Sequence, residues 1–282
     1  MSVLKDLKIK EALRCPICKA QMSIDENGCG VLYCLGQKKH CYDFASGGYV
    51  NFNCSFKSNS GDSKQAVRAR SEFLDGGYYA PVADLTCELL EKYARAGGLV
   101  VDAGCGEGYY SNRIADRGFC VMGFDLSKFA TDAAAKRAKR GRTAATLFGA
   151  ASVFEMPVAD SSADAVVNIF APCVENEYAR ALDDNGTLIV VHAGEKHLLG
   201  LKKVIYEQAH ENEPRADMPK AMTLVEERRL SYEISIEDNA SIKALFAMTP
   251  YYWKTSKDDL EKLEGIERLK TEVDMIFSVY KK

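Results

Sequence analysis

From residue 81 onward, apolar positions alternate between helical stripes and short buried runs. Residues 82–95 form an amphipathic segment, and the run Gly98-Leu99-Val100-Val101 after it is short enough for a buried strand. Helix 109–117 then leads to strand 119–124, and helix 128–140 to strand 144–149. A further strand covers 164–170, and helix 175–183 leads to strand 186–192. A helix is expected after Lys196, and partial alternation over 221–236 and 268–280 predicts strands closing the sheet edge. Repeated strand–helix units imply a parallel sheet covered on both faces, an α/β fold. Residues 1–54 are rich in Cys, Gly and turn formers and show no sustained helical period. Residues 55–80 read as a polar linker and a short helix from about Lys64 to Leu74, which Gly76 and Gly77 would end. The expected organisation is a head (1–54), a linker (55–80) and a larger domain (81–282).

Composition narrows the class. Hydrophobic residues are 47% and charged residues 27% of the 282, which excludes disordered and fibrous chains. No apolar run approaches the ~18–20 residues of a membrane helix. The opening MSVLKDLKIK lacks the apolar core of a signal peptide. The expectation is a cytoplasmic protein with no membrane partner. Six of the ten cysteines (Cys15, Cys18, Cys29, Cys34, Cys41, Cys54) fall in the first 54 residues. In a reducing compartment such clustering points to metal rather than to disulfides. Residues 1–80 carry 11 Lys+Arg against 8 Asp+Glu, whereas 81–282 carry 26 against 32. That balance argues against indiscriminate nucleic-acid binding and leaves room for a locally basic face in the head.

The segment Asp102-Ala-Gly-Cys-Gly-Glu-Gly108 follows an apolar strand and opens a helix. Its glycines permit a tight turn and close approach of a ligand to the backbone, and helix N-terminal amides favour an anion. Asp125 ends the next strand, where a carboxylate can accept both hydroxyls of a ribose. The spacing departs from the G-x-G-x-x-G dinucleotide fingerprint. Asp102 would repel a pyrophosphate but suits the ammonium of an amino-acid moiety. The string resembles the glycine loop of class I S-adenosylmethionine (SAM) methyltransferases. A nicotinamide cofactor and a turn with no ligand are the competing readings.

Ligands of such sheets bind outside the C-terminal strand ends. The small residues Gly149-Ala150-Ala151-Ser152 would let an adenine ring lie close. Phe170-Ala171-Pro172-Cys173 occupies the slot where amino-methyltransferases often hold an Asn/Asp-Pro-Pro-aromatic motif. Cys173 is read as a small filler rather than a nucleophile, since no His lies nearby in sequence. In the head, Cys15-Pro-Ile-Cys18 is a C-x-x-C knuckle, followed by Cys34 and His40. Two such half-sites supply a tetrahedral zinc site, with Cys29 an alternative to Cys34 and Cys41 to His40. A head this small has too little apolar material for its own core, so metal would contribute to its folding.

Together these residues resemble the bacterial 23S rRNA guanine-N1 methyltransferases, a zinc-ribbon head joined to a Rossmann-like, seven-stranded class I methyltransferase domain. The resemblance runs nearly end to end. It includes Cys15-Pro-Ile-Cys18, His40 to Phe52, Gly61-Asp-Ser63, Ala69-Arg70, Phe73-Leu-Asp75, Tyr79-x-Pro81, the loop from Asp102 to Tyr110, Asp125, Ala171-Pro-Cys173, Gly194-x-x-His197 and Met248-Thr-Pro250 with Trp253. Five residues separate Cys34 from His40, longer than the family's usual loop, yet the downstream strings place His40 on the family's histidine ligand. The resemblance thus implies one structural Zn2+ on Cys15, Cys18, Cys34 and His40. It implies SAM bound by Tyr79, Asp102, Gly104, Gly106, Glu107, Gly108, Tyr109, Asp125, Ala150 and His197, and a possible homodimer.

The implied reaction is methylation of N1 of a guanine in a hairpin of 23S rRNA. N1 carries a proton at neutral pH, so a base or a site stabilising the O6 anion is needed. The backbone around Ala171-Pro172, an acid or His197 are the candidates, and the base is not identified. Lys38, Lys39, Arg68 and Arg70, with Lys57 and Lys64 and interleaved with Tyr42, Phe44, Tyr49, Phe52 and Phe56, suit RNA. The cluster 136–142 reads as a solvated helix end. Two alternatives remain: a SAM-dependent methyltransferase of a small molecule or protein, and a non-catalytic zinc-ribbon RNA-binding protein.

Overall fold

The structure, a computed structural model, describes residues 6–24, 30–53, 61–141, 145–253, 255 and 257–282. The head contains helix α1 (Leu7–Ala12) and three short antiparallel strands, β1 (Met22–Ile24), β2 (Val31–Cys34) and β3 (Cys41–Asp43). Strand β4 (Val50–Asn51) follows, then α2 (Lys64–Asp75) and α3 (Ala80–Tyr93). The alternating region gives β5 (Leu99–Ala103), α4 (Tyr109–Asp116), β6 (Cys120–Asp125), α5 (Lys128–Gly141), β7 (Thr146–Ala150), β8 (Ala163–Ile169), α6 (Glu175–Ala181) and β9 (Leu182–Ala193). It ends in α7 (Leu199–Ile205), β10 (Thr223–Ile236), α8 (Asn239–Ala247), a 3-10 turn at Pro250–Trp253, α9 (Lys257–Glu261) and β11 (Leu269–Lys281).

The main sheet runs β10-β11-β9-β8-β5-β6-β7-β4. From β4 to β9 the pairs are parallel, and β11 pairs antiparallel with both β9 and β10. The seven strands expected of the large domain are all present, and the eighth is β4 from the head. Alternate residues of each central strand face opposite cores, as a pleated strand requires. Val100, Val167 and Val191 join α3, α7 and α8. Leu99, Val101, Val166 and Val190 join α6 and the head.

The short elements were not legible. Helix α1 spans six residues, too few for a period, and is started by Asp6, whose carboxylate accepts the Lys8 N–H at 2.9 Å. Strand β9 begins four residues before the expected 186, at the end of α6. For α2 the expected stop holds. Ser63 caps its start, and Gly77, at φ +82°, takes the left-handed conformation beyond its end.

The head does not stand apart from the sheet. Ile9, Leu13, Leu32, Tyr42, Val50 and Phe52 share one buried cluster with Leu99, Val101, Met122 and Phe124. Strand β4 pairs in parallel with β7 through Val50–Gly149 and Asn51–Ala150. The head's missing core is therefore supplied by the sheet. Among the described residues no helix is long and apolar enough to cross a membrane.

Candidate active site

Strand β5 ends at Asp102 and Ala103, and the chain turns through Gly104, Gly106 and Gly108 at φ +87°, +53° and +80°. Only glycine adopts these values readily. The loop's amides are largely used inside the protein. Gly104 and Cys105 N–H donate to the Phe124 carbonyl at 2.8 and 3.0 Å, and Gly108 N–H to that of Cys105 at 3.0 Å. Gly106 N–H donates to Asp125 Oδ2 at 3.1 Å, and Ser127 N–H to Asp125 Oδ1 at 2.8 Å. The Gly104, Cys105, Gly106 and Gly108 amides are thus committed within the protein. Each Asp125 oxygen keeps a lone pair and could accept a further hydrogen bond.

Asp102 is 2% exposed and accepts the Ser111 hydroxyl at 2.5 Å. Burial pushes its carboxyl up to about 7, against the pull of the Ser111 hydrogen bond. Asp125 is also raised by burial. Glu107, in the same turn, is engaged by Arg137 of α5. Its carboxylate, 1% exposed and raised by burial, takes Arg137 Nε and Nη2 at 3.0 and 2.6 Å. Tyr109 lies buried between Arg113 and Arg137. Ala150 is fully buried, its carbonyl accepts the Phe52 N–H, and a Cβ on Gly149 would meet the Phe52 ring at 2.7 Å. The missing Cβ at Gly149 makes room for the Phe52 ring.

Tyr79 and His197 meet beside this loop. His197 Nδ1 accepts the Asp274 N–H at 3.3 Å, so the neutral ring carries its hydrogen on Nε2 and donates to Tyr79 Oη at 3.3 Å. Burial lowers the imidazole to about 4. With both nitrogens engaged and the ring neutral, His197 is not available as a base.

The segment after β8 is held from several sides. Phe170, at φ +58°, donates its N–H to the Val191 carbonyl and stays 48% exposed, its ring 5.8 Å from that of His197. The Pro172 carbonyl accepts Asn168 Nδ2 at 2.9 Å and Tyr178 Oη at 2.8 Å, filling both lone pairs. It cannot also take the N1 proton. Burial pushes the Cys173 thiol up to about 11, in keeping with a filler.

In the head, donor atoms of Cys15, Cys18, Cys34 and His40 lie within 4.8 Å of one another. Cys18 and Cys34 sulfurs are 3.6 Å apart, and His40 Nδ1 is 3.6 Å from Cys15 Sγ and 3.4 Å from Cys34 Sγ. A tetrahedron with Zn–S of 2.3 Å and Zn–N near 2.0 Å requires about 3.8 Å between sulfurs and about 3.6 Å from sulfur to nitrogen. The donor set fits zinc. Burial raises the Cys34 thiol, but His40 and Gly36 backbone N–H groups and the Cys18 and His40 side chains outweigh it, holding it at about 6. Cys41 is exposed and outside the cluster. Cys29 and Cys54 lie outside the described residues.

A family model described as a methyltransferase domain matches residues 100–186. A "23S rRNA (guanine(748)-N(1))-methyltransferase" of Streptomyces fradiae is 30% identical over 261 residues, 89% of either chain. YxjB of Bacillus subtilis (strain 168), assigned as a 23S rRNA (guanine-N(1)-)-methyltransferase, is 29% identical over 93% of this chain and 94% of its own. This chain belongs to the 23S rRNA (guanine-N1)-methyltransferase family. It is a SAM-dependent methyltransferase. A solved structure from Anaeromyxobacter dehalogenans, assigned as a type II methyltransferase, shares the fold, with a TM-score of 0.51 and 17% identity over 70% of this chain and 95% of that one.

Within this family member the four basic candidates separate. Lys38 and Lys39 are exposed on the head, with Lys39 Nζ 4.1 Å above the Tyr33 ring. Arg68 is exposed on α2 and paired with Glu72. Arg70 turns inward: it pairs with Asp62, and a Cβ on Gly106 would lie 3.6 Å from its Nη1. Tyr42 and Phe52 pack on each other in the core, 5.4 Å apart. Lys57 and Phe56 lie outside the described residues. The 136–142 cluster is partly internal, since Arg137 bridges Glu107 and Asp75. A cavity of about 690 Å³ between α2, α8 and α9 lies elsewhere and gathers no comparable acids. The sequence reading missed Asp62, Asn168, Arg215, Asp217 and Asp274. They sit in loops or within strands such as β11, which holds Asp274, where no period or spacing marks them.

Proposed function

We propose that this protein transfers a methyl group from SAM to N1 of one guanine in a hairpin of 23S rRNA. The carrying observation is the pair of acids at the ends of adjacent strands, Asp102 buried and Asp125 part-buried, flanking a turn whose Gly104, Cys105, Gly106 and Gly108 amides are bonded within the protein. In this reading Asp102 receives the ammonium and Asp125 the ribose hydroxyls, with Gly104, Gly106 and Gly108 allowing close approach. Tyr79 and His197 line the same end. When bound, SAM supplies a sulfonium-activated methyl group, so the protein's task is mainly alignment.

The head is the RNA-recognition unit in this reading, with zinc on Cys15, Cys18, Cys34 and His40 as its structural metal. Lys38, Lys39 and Arg68 present charge outward, which favours phosphate contacts. The target base must leave its stack before N1 is reachable, and the exposed Phe170 ring at the sheet's C-terminal edge offers it a surface. The S. fradiae relative, named for guanine N1 of 23S rRNA, supports the substrate class. The test is methylation of unmodified large-subunit rRNA with labelled SAM, followed by nuclease digestion and mass spectrometry. The expected product is 1-methylguanosine at a single site. Label confined to another base, or none on RNA, would refute the assignment.

A further inference from the structure

The loop that offers Phe170 to solvent is braced by a residue from a distant part of the chain. Arg215 lies in the long connection between α7 and β10, with its side chain 13% exposed. Its Nη2 donates to the Ala171 carbonyl at 2.6 Å, and its Nη1 to Asn168 Oδ1 at 3.3 Å. Asp217 takes Nε at 2.5 Å and Nη2 at 3.0 Å. The same carboxylate accepts the Cys173 N–H at 2.9 Å. The pair therefore grips both sides of Pro172, whose carbonyl is already filled by Asn168 and Tyr178. The connection is itself pinned further on. Glu175 Oε1 accepts the N–H groups of Lys220, Ala221 and Met222 at 2.8, 2.6 and 3.1 Å.

This bracing has a consequence one residue upstream. Phe170 holds a left-handed backbone conformation that costs a bulky side chain free energy and persists only when its surroundings over-determine it. On one side the Val191 carbonyl fixes its N–H, and on the other the Arg215 fork fixes the following carbonyl. A bidentate guanidinium in a poorly solvated setting is well suited to this, because its geometry is rigid and its hydrogen bonds are charge-assisted. We propose that Arg215, braced by Asp217, is a positioning residue. It holds the segment 170–173 so that the Phe170 ring is presented as the stacking face for the acceptor guanine. The proposal rests on the guanine-N1 reading of the same site, and it acts on the acceptor rather than on SAM.

The test compares wild-type protein with Arg215→Ala, Arg215→Lys, Asp217→Asn, Phe170→Ala and the Arg215→Ala/Phe170→Ala double variant. Turnover on rRNA, SAM affinity by calorimetry and melting temperature are measured for each. Arg215→Ala is expected to lower kcat by ~10–100-fold, the range a misplacement of about 1 Å produces, with SAM affinity within about twofold of wild type. Arg215→Lys should recover part of the loss, since an ammonium reaches one acceptor but cannot fork. The double variant should be little worse than Phe170→Ala, because both substitutions act through one element. Full turnover in Arg215→Ala, or losses that simply add, would overturn the proposal. So would a fall in SAM affinity matching the fall in kcat. Should Arg215→Ala not fold, Arg215→Lys and Asp217→Asn decide by the same split between turnover and SAM affinity. Wild-type protein that binds SAM but forms no 1-methylguanosine would remove the guanine-N1 reading and this one with it. Active wild type with unaffected variants would remove only the role of Arg215.

Discussion

Asp102 concentrates the chemistry of the site in one side chain. An isolated aspartate ionises near pH 4, but this one, buried behind Ser111, is held near 7. A ligand ammonium favours the ionised form, so binding is strongest where Asp102 is charged and the ammonium still holds its proton. As pH falls through 7 the carboxyl takes up a proton and affinity drops, by about fivefold between pH 7 and 6 and by nearly tenfold per unit below that, the limiting slope of one proton. As pH rises past about 8 the ligand's amino group loses its own proton. SAM affinity measured by calorimetry should therefore trace a bell between these limits. Asp102→Asn should bind at least about tenfold more weakly and lose the acid limb. An unchanged acid limb in that variant would assign the titration to another group. Asp102 and Asp125 were legible because each ends an apolar run beside glycine. Arg70 was legible only as a basic residue. Its inward turn onto Gly106 depends on Asp62, and that contact has no signature in spacing. Arg70→Ala should accordingly weaken SAM binding, read by the same titration, whereas Arg68→Ala should not.

At the level of elements, long periodic segments were readable and short ones were not. The helices and strands from α3 to β9 repeat their patterns over enough residues to declare themselves. Strand β4 has two residues, and only its register against β7 makes it a strand. Its presence changes the meaning of Gly149. A side chain there would collide with the Phe52 ring, which packs in turn against Tyr42 and Phe124. Gly149→Ala should therefore destabilise by ~1–3 kcal/mol, the usual cost of overpacking. Phe52→Ala should cost ~3–5 kcal/mol through the cavity it leaves. In the double variant the collision has no partner, so denaturant titration should show a combined loss smaller than the sum. Strictly additive losses would show that Gly149 is small for some other reason.

For the molecule as a whole, the consequence is that head and sheet share one core, to which a metal held in the head would be coupled. Buried residues of the head sit in the same cluster as β5 and β6, and the Leu13–Val158 bridge and the Ala12–Ala159 hydrogen bond tie the end of the first helix to the segment between β7 and β8. Metal bonds made by folded Cys15, Cys18, Cys34 and His40 would be folding free energy, delivered here to a shared core. Cys18→Ser, or prolonged chelation, should lower the single melting transition by roughly 5–10 °C, the shift expected for a loss of about 2–3 kcal/mol in a domain of this size. Two separate transitions, one unaffected by chelation, would show that the head folds independently. Charge acts differently from packing. The acidic excess lies beyond residue 80 and the basic excess before it, so the head should steer an RNA hairpin without the sheet domain attracting RNA at large. Replacing exposed Lys38 and Lys39 by Glu should leave melting and SAM affinity unchanged. RNA binding should weaken, and its logarithmic salt dependence should become shallower by roughly two counterions if both lysines meet phosphates. An unaltered salt slope would move the RNA contact off the knuckle and onto another face of the molecule.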